Sequence, residues 1–183
     1  MKLIFCRHGE TDWNAEGRMQ GHADIPLNQI GINQAYNLKE RLKDIKIDFI
    51  FSSPLKRALE TAEIINESLH IPLIIEPALI ERDLGKYEGL TRSEIEKMGI
   101  NIHLELDNKI PTVESALEIE ERIYNLLDKL KREYEDKTIL IVSHGGVGKV
   151  VYWYFNSPKI NGKPTRISDV SVMDNSAIIE YNS

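Results

Sequence analysis

Two short apolar runs near opposite ends of the chain end in the same way. Lys2–Cys6 (KLIFC) leads into Arg7-His8-Gly9, and Thr138–Val142 (TILIV) leads into Ser143-His144-Gly145-Gly146. Apolar runs of this length without polar alternation fit strands buried on both faces, as in a parallel sheet. Two more candidates lie over Asp48–Phe51 and Pro72–Ile75. Helical spacing fills the gaps between them. From Asn28 onward, Ile32, Ala35, Leu38, Leu42 and Ile45 recur at three and four. After Ser53-Pro54, expected as N-cap and first helical residue, Leu55, Ala58, Leu59, Ala62, Ile65 and Leu69 form a second apolar face. Residues 77–90 read as a loop. Thr91 with Glu94, and Ser115 with Glu118, have capping-box spacing. They open a short helix ending at Gly99 and a long one reaching about Glu135, whose buried face is Leu117 or Ile119, then Ile123, Leu126, Leu127 and Leu130. The Thr138–Val142 strand is followed by an apolar helix through GVGKVVYWYF. Val170–Met173 and Ala177–Tyr181 read as two strands joined at Asp174–Asn175. This alternation predicts an α/β layer fold with a mostly parallel sheet, the last pair adding an edge or antiparallel strand.

Composition narrows the class. With 183 residues, 42% of them hydrophobic and 28% charged, the chain reads as one domain over residues 1–183 that needs no staple to hold a core. The single cysteine, Cys6, excludes an intramolecular disulfide and fits a reducing compartment. Only four apolar residues precede Arg7 without interruption, too few for a signal-peptide core, and no transmembrane run follows. A cytoplasmic protein with no membrane partner is expected. Net charge of −6 argues against a nucleic-acid partner. The aromatic run Tyr152–Phe155 therefore reads as helix packing or a subunit contact, in a monomer or homodimer.

Ligands of open α/β sheets bind beyond the carboxyl ends of the strands, where His8 and His144 both fall. Glycine beside each lets a ligand approach the backbone, and the N–H groups of Gly145 and Gly146 open a helix toward an anion. Arg7 adjoins one histidine, and Arg57, early in the helix after the second strand, can reach the same edge. Together they point to phosphate. A neutral imidazole can attack phosphorus, arginines spread the equatorial charge, and a carboxylic acid must protonate the leaving oxygen. Composition does not choose that acid among 29 Asp and Glu residues. Gly145–Val150 (GGVGKV) fails the nucleotide-binding loop pattern at Ser143 and Val150. Metal is not expected: the histidines lack ligand spacing, and Arg7 beside His8 opposes a cation.

The pattern Arg7-His8-Gly9-Glu10-Thr11 resembles the signature of the histidine phosphatase superfamily, the phosphoglycerate-mutase-like family. The likeness continues in order through Asn14, Gly17-Arg18, Gly21, Asp24, Pro26-Leu27, Gly31 and Gln34-Ala35. It extends to Ser52-Ser53-Pro54-Leu55-Lys56-Arg57-Ala58 with Thr61-Ala62, to Glu81-Arg82 with Gly85 and Glu88-Gly89-Leu90, and to Ser143-His144-Gly145-Gly146. The resemblance implies a three-layer α/β/α sandwich whose mainly parallel sheet contains one antiparallel strand. It implies that His8 is the phosphate-accepting nucleophile, that Arg7, Arg57 and His144 form the phosphate pocket, and that Asn14 is a further donor. Glu81 then resembles the proton donor, and Arg82 a substrate contact as in mutase-like members.

Phosphatase and mutase would share this chemistry. Cofactor-dependent mutases of the family are typically longer, with extra cationic mid-chain segments. Here residues 91–114 are the expected small cover over the site, with Arg92, Lys97 and Lys109 against Glu94, Glu96, Glu105, Asp107 and Glu114. A short, net-negative cover neither seals the site nor attracts a trianionic phosphoglycerate. The expectation is a metal-independent phosphatase acting on a small phosphorylated metabolite, without a cofactor. The alternatives are a phosphoglycerate mutase dependent on 2,3-bisphosphoglycerate, and a non-catalytic or signalling protein that binds phosphorylated ligands. Met98, Ile100, Ile102, Leu104, Leu106 and Ile110 either line the leaving-group side or pack as core. In this segment Thr-Val-Glu-Ser (112–115) stands where many family members have glycine before Glu-Ser, so Glu114 and Ser115 either adjoin the substrate or simply start a helix.

Overall fold

The computed structural model describes residues 1–103, 110–160, 163–164 and 173–182. Five strands make the central sheet: β1 (Lys2–Arg7), β2 (Phe49–Ser52), β3 (Leu73–Ile75), β4 (Thr138–Ser143) and β7 (Ile178–Asn182). Their order is β3-β2-β4-β1-β7, all parallel except β7, which runs antiparallel along β1. Two short strands, β5 (Lys159–Ile160) and β6 (Lys163–Pro164), form a separate antiparallel pair.

Alternation along the strands builds the two cores. On one face Ile4, Cys6, Ile50, Leu140 and Val142 pack against α2 (Gln29–Leu42) and α3 (Lys56–Leu69) through Leu38, Leu42, Ala58, Ala62 and Ile65. On the other, Leu3, Phe5, Phe51, Ile139 and Ile141 meet α5 (Ala116–Glu133) and α6 (Gly145–Asn156). The result is the expected α/β/α sandwich with one antiparallel strand. Ile119 is fully buried whereas Leu117 is 54% exposed, which decides between the two faces the sequence allowed for α5. Both capping boxes form, Thr91 with Glu94 opening α4 (Arg92–Lys97) and Ser115 with Glu118 opening α5.

Ser53 is not the cap of α3. Leu55 holds that position with extended backbone, and the helix begins at Lys56. The reason is that Ser53 still belongs to the sheet edge: its N–H donates to Val142 O at 3.1 Å, and its hydroxyl turns toward His144. The terminal strand pair also differs. Met173 is not in a strand, the turn falls at Asn175–Ser176, and β7 pairs with β1 in the register Cys6↔Ile178. Residues 170–172, the start of the other expected strand, lie outside the described residues.

A third, smaller core sits over residues 84–113. Leu84, Tyr87, Ile95 and Ile102 are buried there, with Ile100, Ile110 and Val113 packed against them. Packing thus accounts for Ile100, Ile102 and Ile110, while Met98 is 58% exposed. Leu104, Leu106 and Lys109 lie outside the described residues. Among those residues, no helix is long and apolar enough to cross a membrane.

Candidate active site

The parallel register of β1 and β4 aligns Arg7 with Ser143, so the next residues, His8 and His144, emerge side by side at the carboxyl edge. Their rings meet edge to face with centroids 5.2 Å apart. His8 is buried, and its Nδ1 lies 2.6 Å from Gly9 O. A carbonyl only accepts, so Nδ1 carries the proton and the lone pair of the neutral ring sits on Nε2. Burial, then the positive charges of Arg57 and Arg7, hold this imidazole well below the usual histidine range despite the Gly9 bond.

The loop around His8 is fastened from two sides. Gly9 N–H donates to Thr61 Oγ1 at 3.1 Å, and the Thr61 hydroxyl donates to Arg57 O at 2.7 Å. From the other side Asn175 Nδ2 donates to the carbonyls of His8 and Gly9 at 3.1 and 3.2 Å. Asn175 also reaches Asn14 Oδ1, which accepts from Thr11 N–H as well. That leaves the Asn14 amide NH2 as its donor end.

Arg57 is 1% exposed, its two terminal nitrogens donating to Ala23 O and Gly21 O at 2.7 and 2.9 Å. Burial lowers it to about 10, opposed first by Glu81 and then Asp24, so it stays cationic at neutral pH. Arg7 Nη1 donates to Met173 O, and the charge of Glu81 partly offsets its desolvation. His144 is fully buried, with Nε2 2.7 Å from Ser53 Oγ, and is likewise pressed well below its ordinary range by burial and then by Arg57.

Glu81 faces this group. Its Oε2 accepts from Gly146 N–H at 3.0 Å and its Oε1 from Arg82 N–H at 2.8 Å. Its own carbonyl accepts from His22 Nε2 at 2.8 Å and Arg122 Nη2 at 3.2 Å. Gly145 is the first residue of α6 after the cap His144, where backbone N–H groups lack helical partners. The structure therefore gathers Arg7, His8, Arg57, Glu81, His144, Gly145 and, through Asn175, Asn14.

It does not gather Arg82. That guanidinium is 5% exposed and donates to Glu114 O at 2.7 Å and Ile102 O at 2.8 Å. It clasps the middle and the end of the segment expected to cover the site, whose buried carbonyls need donors. Glu114 forms an ion pair with Arg122 through both carboxylate oxygens, at 2.6 and 2.9 Å, and Ser115 is the cap of α5. Beside the Glu81 segment, a cleft of about 470 Å³ is lined by His22, Asp83, Thr112, Val113, Glu114 and Glu118.

Four residues of this arrangement were not singled out as functional from the sequence: Ser53, Thr61, Asn175 and Arg122. Thr61 carried a signal, since it stands one helical turn beyond Arg57. Cys6, next to the site in sequence, is fully buried with its thiol pushed up to about 12, so it is inert. Among the described residues, no three His, Cys, Asp or Glu side chains are grouped to hold a metal ion.

A buried pair of histidines, two arginines and a facing carboxylate at the end of a parallel sheet suit the chemistry of phosphoryl transfer. Comparison with known proteins gives the family: the chain belongs to the histidine phosphatase superfamily (branch 1), whose model matches residues 3–178. It is 45% identical over 143 residues to "Uncharacterized phosphatase PhoE" of Bacillus subtilis (78% of this chain, 71% of that protein). Two Arabidopsis thaliana proteins are also similar. One is phosphoglycerate mutase-like protein 4, 35% identical over 82% of this chain and 69% of its own. The other is a metal-independent phosphoserine phosphatase, 34% identical over 88% and 71%. The solved structure of Bacillus stearothermophilus YhfR superposes with a TM-score of 0.85 at 31% identity, covering 98% of this chain and 89% of that one.

Proposed function

We propose that this protein is a metal-independent phosphatase that hydrolyses small phosphomonoesters through a phosphohistidine at His8. The observation that carries the reading is the His8 Nδ1–H bond to Gly9 O. It directs the free lone pair of a neutral, buried imidazole to Nε2. Nε2 attacks phosphorus in line while the P–O bond to the alcohol breaks, and Glu81 delivers a proton to the departing oxygen. Arg7, Arg57 and the Gly145 N–H at the start of α6 carry the equatorial charge, the Gly146 N–H being bound to Glu81. Water then attacks the phosphohistidine, giving its proton to Glu81 and releasing phosphate and His8.

Hydrolysis is favoured over isomerisation by what surrounds Glu81. The adjoining cleft presents Asp83 and Glu118, which repel the carboxylate of a phosphoglycerate, while the Glu114 charge is offset by Arg122. Arg82, the nearest cation in sequence, is spent on the carbonyls of Glu114 and Ile102. The phosphatase names among relatives agree with this reading, and the metal-independent one among them supports chemistry without a metal.

One set of assays tests it. Purified protein treated with a chelator should release phosphate from part of a broad monoester panel, and should not convert 3-phosphoglycerate to 2-phosphoglycerate with or without 2,3-bisphosphoglycerate. Rapid quench with a labelled substrate should trap a phosphoenzyme stable to base and labile to acid, absent in His8→Ala. Isomerisation that outruns phosphate release would establish the mutase instead. Binding without turnover across the panel would establish a non-catalytic protein, and activity lost to the chelator and restored by a metal would remove metal independence.

A further inference from the structure

His144 is a neutral imidazole, and a neutral imidazole offers a hydrogen at one nitrogen only. Which nitrogen carries it decides whether the residue attracts or repels a phosphoryl oxygen. Its Nε2 lies 2.7 Å from Ser53 Oγ, both residues being fully buried. Its Nδ1 is buried and has no protein partner among the described residues, as is true of Arg7 Nε and Arg57 Nε. The hydrogen count at Ser53 places the proton, and the acceptors a phosphoryl group would bring agree with it.

The Ser53 oxygen already accepts from Leu55 N–H at 3.3 Å, and the Ser53 N–H is bound to Val142 O. If His144 Nε2–H also donated to it, the Ser53 hydroxyl hydrogen would be buried with no acceptor, at a cost of about 1–3 kcal/mol. Donation from Ser53 to Nε2 removes that conflict. A phosphoryl group offers only acceptors in the pocket, so Nδ1 serves it only as N–H.

We propose that Ser53 is a positioning residue that pins His144 in the Nδ1–H tautomer by donating its hydroxyl hydrogen to Nε2, so that a neutral histidine serves as a hydrogen-bond donor to the transferring phosphoryl group. The device matters because the pocket keeps His144 uncharged. The groups facing it are Arg57, His8, Arg7 and Arg122, with Glu81 held across the first turn of α6. An imidazolium would donate from both nitrogens without help, and the cations around it oppose that form. Ser53 also explains its own place in the chain: the hydroxyl sought by a helix cap is used by the site.

The proposal rests on the phosphoryl-transfer reading of the pocket, yet its central test needs no substrate. Nitrogen-15 NMR of the ligand-free wild-type protein, with His144 assigned by comparison with His144→Asn, should show Nδ1 protonated and Nε2 unprotonated near neutral pH. In Ser53→Ala that pattern should weaken or reverse, with kcat down by roughly 10- to 100-fold on whichever monoester the wild type hydrolyses, approaching the loss of one transition-state donor. Ser53→Thr, which keeps the hydroxyl, should restore both tautomer and rate. A wild-type His144 protonated at Nε2 overturns the proposal, even if Ser53→Ala does not fold. So does a Ser53→Ala variant with unchanged tautomer and reduced rate, which would leave Ser53 a packing residue. Failure to find any hydrolysable monoester would count against the function proposed above, and would leave the NMR result standing.

Discussion

The Glu81 carboxylate accepts a hydrogen bond from the backbone N–H of Gly146 at 3.0 Å, which ties the proposed acid to the first turn of the helix that begins beside His144. The contact leaves no room for a side chain at residue 146. A Cβ there would lie 2.5 Å from Glu81 Oε1 and 3.3 Å from its Cδ.

Gly146→Ala is therefore expected to separate activity from stability. The carboxylate is the mobile end of a side chain and swings aside, while alanine suits the helix better than glycine by about 0.4–1 kcal/mol. The melting temperature should stay near that of the wild type, the helix gain being offset by the Gly146 and Arg82 N–H bonds that the displaced carboxylate gives up. The kcat should fall by roughly 10- to 100-fold through misplacement of the acid. Parallel thermal unfolding and steady-state assays check both halves. An active Gly146→Ala enzyme would mean that Glu81 does not work from this position.

Thr61→Val removes a hydroxyl and preserves shape. Gly9 N–H then loses its acceptor inside the protein. The expected cost is about 1–3 kcal/mol of stability. A drop in kcat should accompany it, because the Gly9 peptide that orients His8 is then held from the Asn175 side alone. Thr61→Ser should recover most of both in denaturant titrations and rate measurements. If valine and serine behave alike, the hydroxyl plays no part.

Gly31 is where α2 presses on the loop carrying the site. A Cβ on it would fall 2.7 Å from Glu10 N and 2.9 Å from Glu10 C, both backbone atoms. Glu10 is itself fastened, its N–H donating to Gln34 Oε1 at 2.8 Å and its carbonyl accepting from Asn28 N–H at 3.0 Å. Since neither backbone can yield cheaply, Gly31→Ala should destabilise by about 1–3 kcal/mol despite its favourable helix propensity. Urea unfolding midpoints measure this directly, and an unchanged midpoint would contradict the packing.

His8 and His144 both bind protons less readily folded than unfolded, because of burial first and nearby arginines second. The sign follows. Below pH 6.5 the unfolded chain takes up protons at these residues while the folded chain does not, so stability falls as pH falls. Each histidine contributes a slope that grows through that window toward about 1.4 kcal/mol per pH unit. Melting temperatures between pH 7 and pH 5 should fall more steeply for the wild type than for the double variant His8→Asn, His144→Asn. Equal slopes would show that neither ring is held neutral.

How much of this was legible depended on whether a residue's environment is set by its sequence neighbours. Strands such as Thr138–Ser143 and the faces of α2, α3 and α5 follow from periodicity, and the two strand exits announced the histidine pair. Glu81 was different: nothing local distinguishes it from the other acids, and only the family resemblance singled it out. Ser53 carried a cap-like local signal, but its hydroxyl is claimed by His144, 91 residues away. Arg82 sits beside Glu81 in sequence, yet its guanidinium turns to carbonyls that only the folded chain brings near. Arg122 looks like an ordinary polar position on α5. Its ties to Glu114, Ala78 and Glu81 exist only because the helix lies across the loop after β3.

The strand that carries His8 toward the site has a long wait during synthesis. Lys2–Arg7 leaves the ribosome long before its two neighbours in the sheet, Thr138–Ser143 and Ile178–Asn182. Until those stretches emerge, β1 is an unpaired apolar segment with a high entropic cost of closing onto its partners. The candidate site is thus among the last parts to assemble, so a growing chain carries its proposed nucleophile through translation without a pocket in which to use it. In that interval the exposed LIFC run is a natural client for a holdase chaperone.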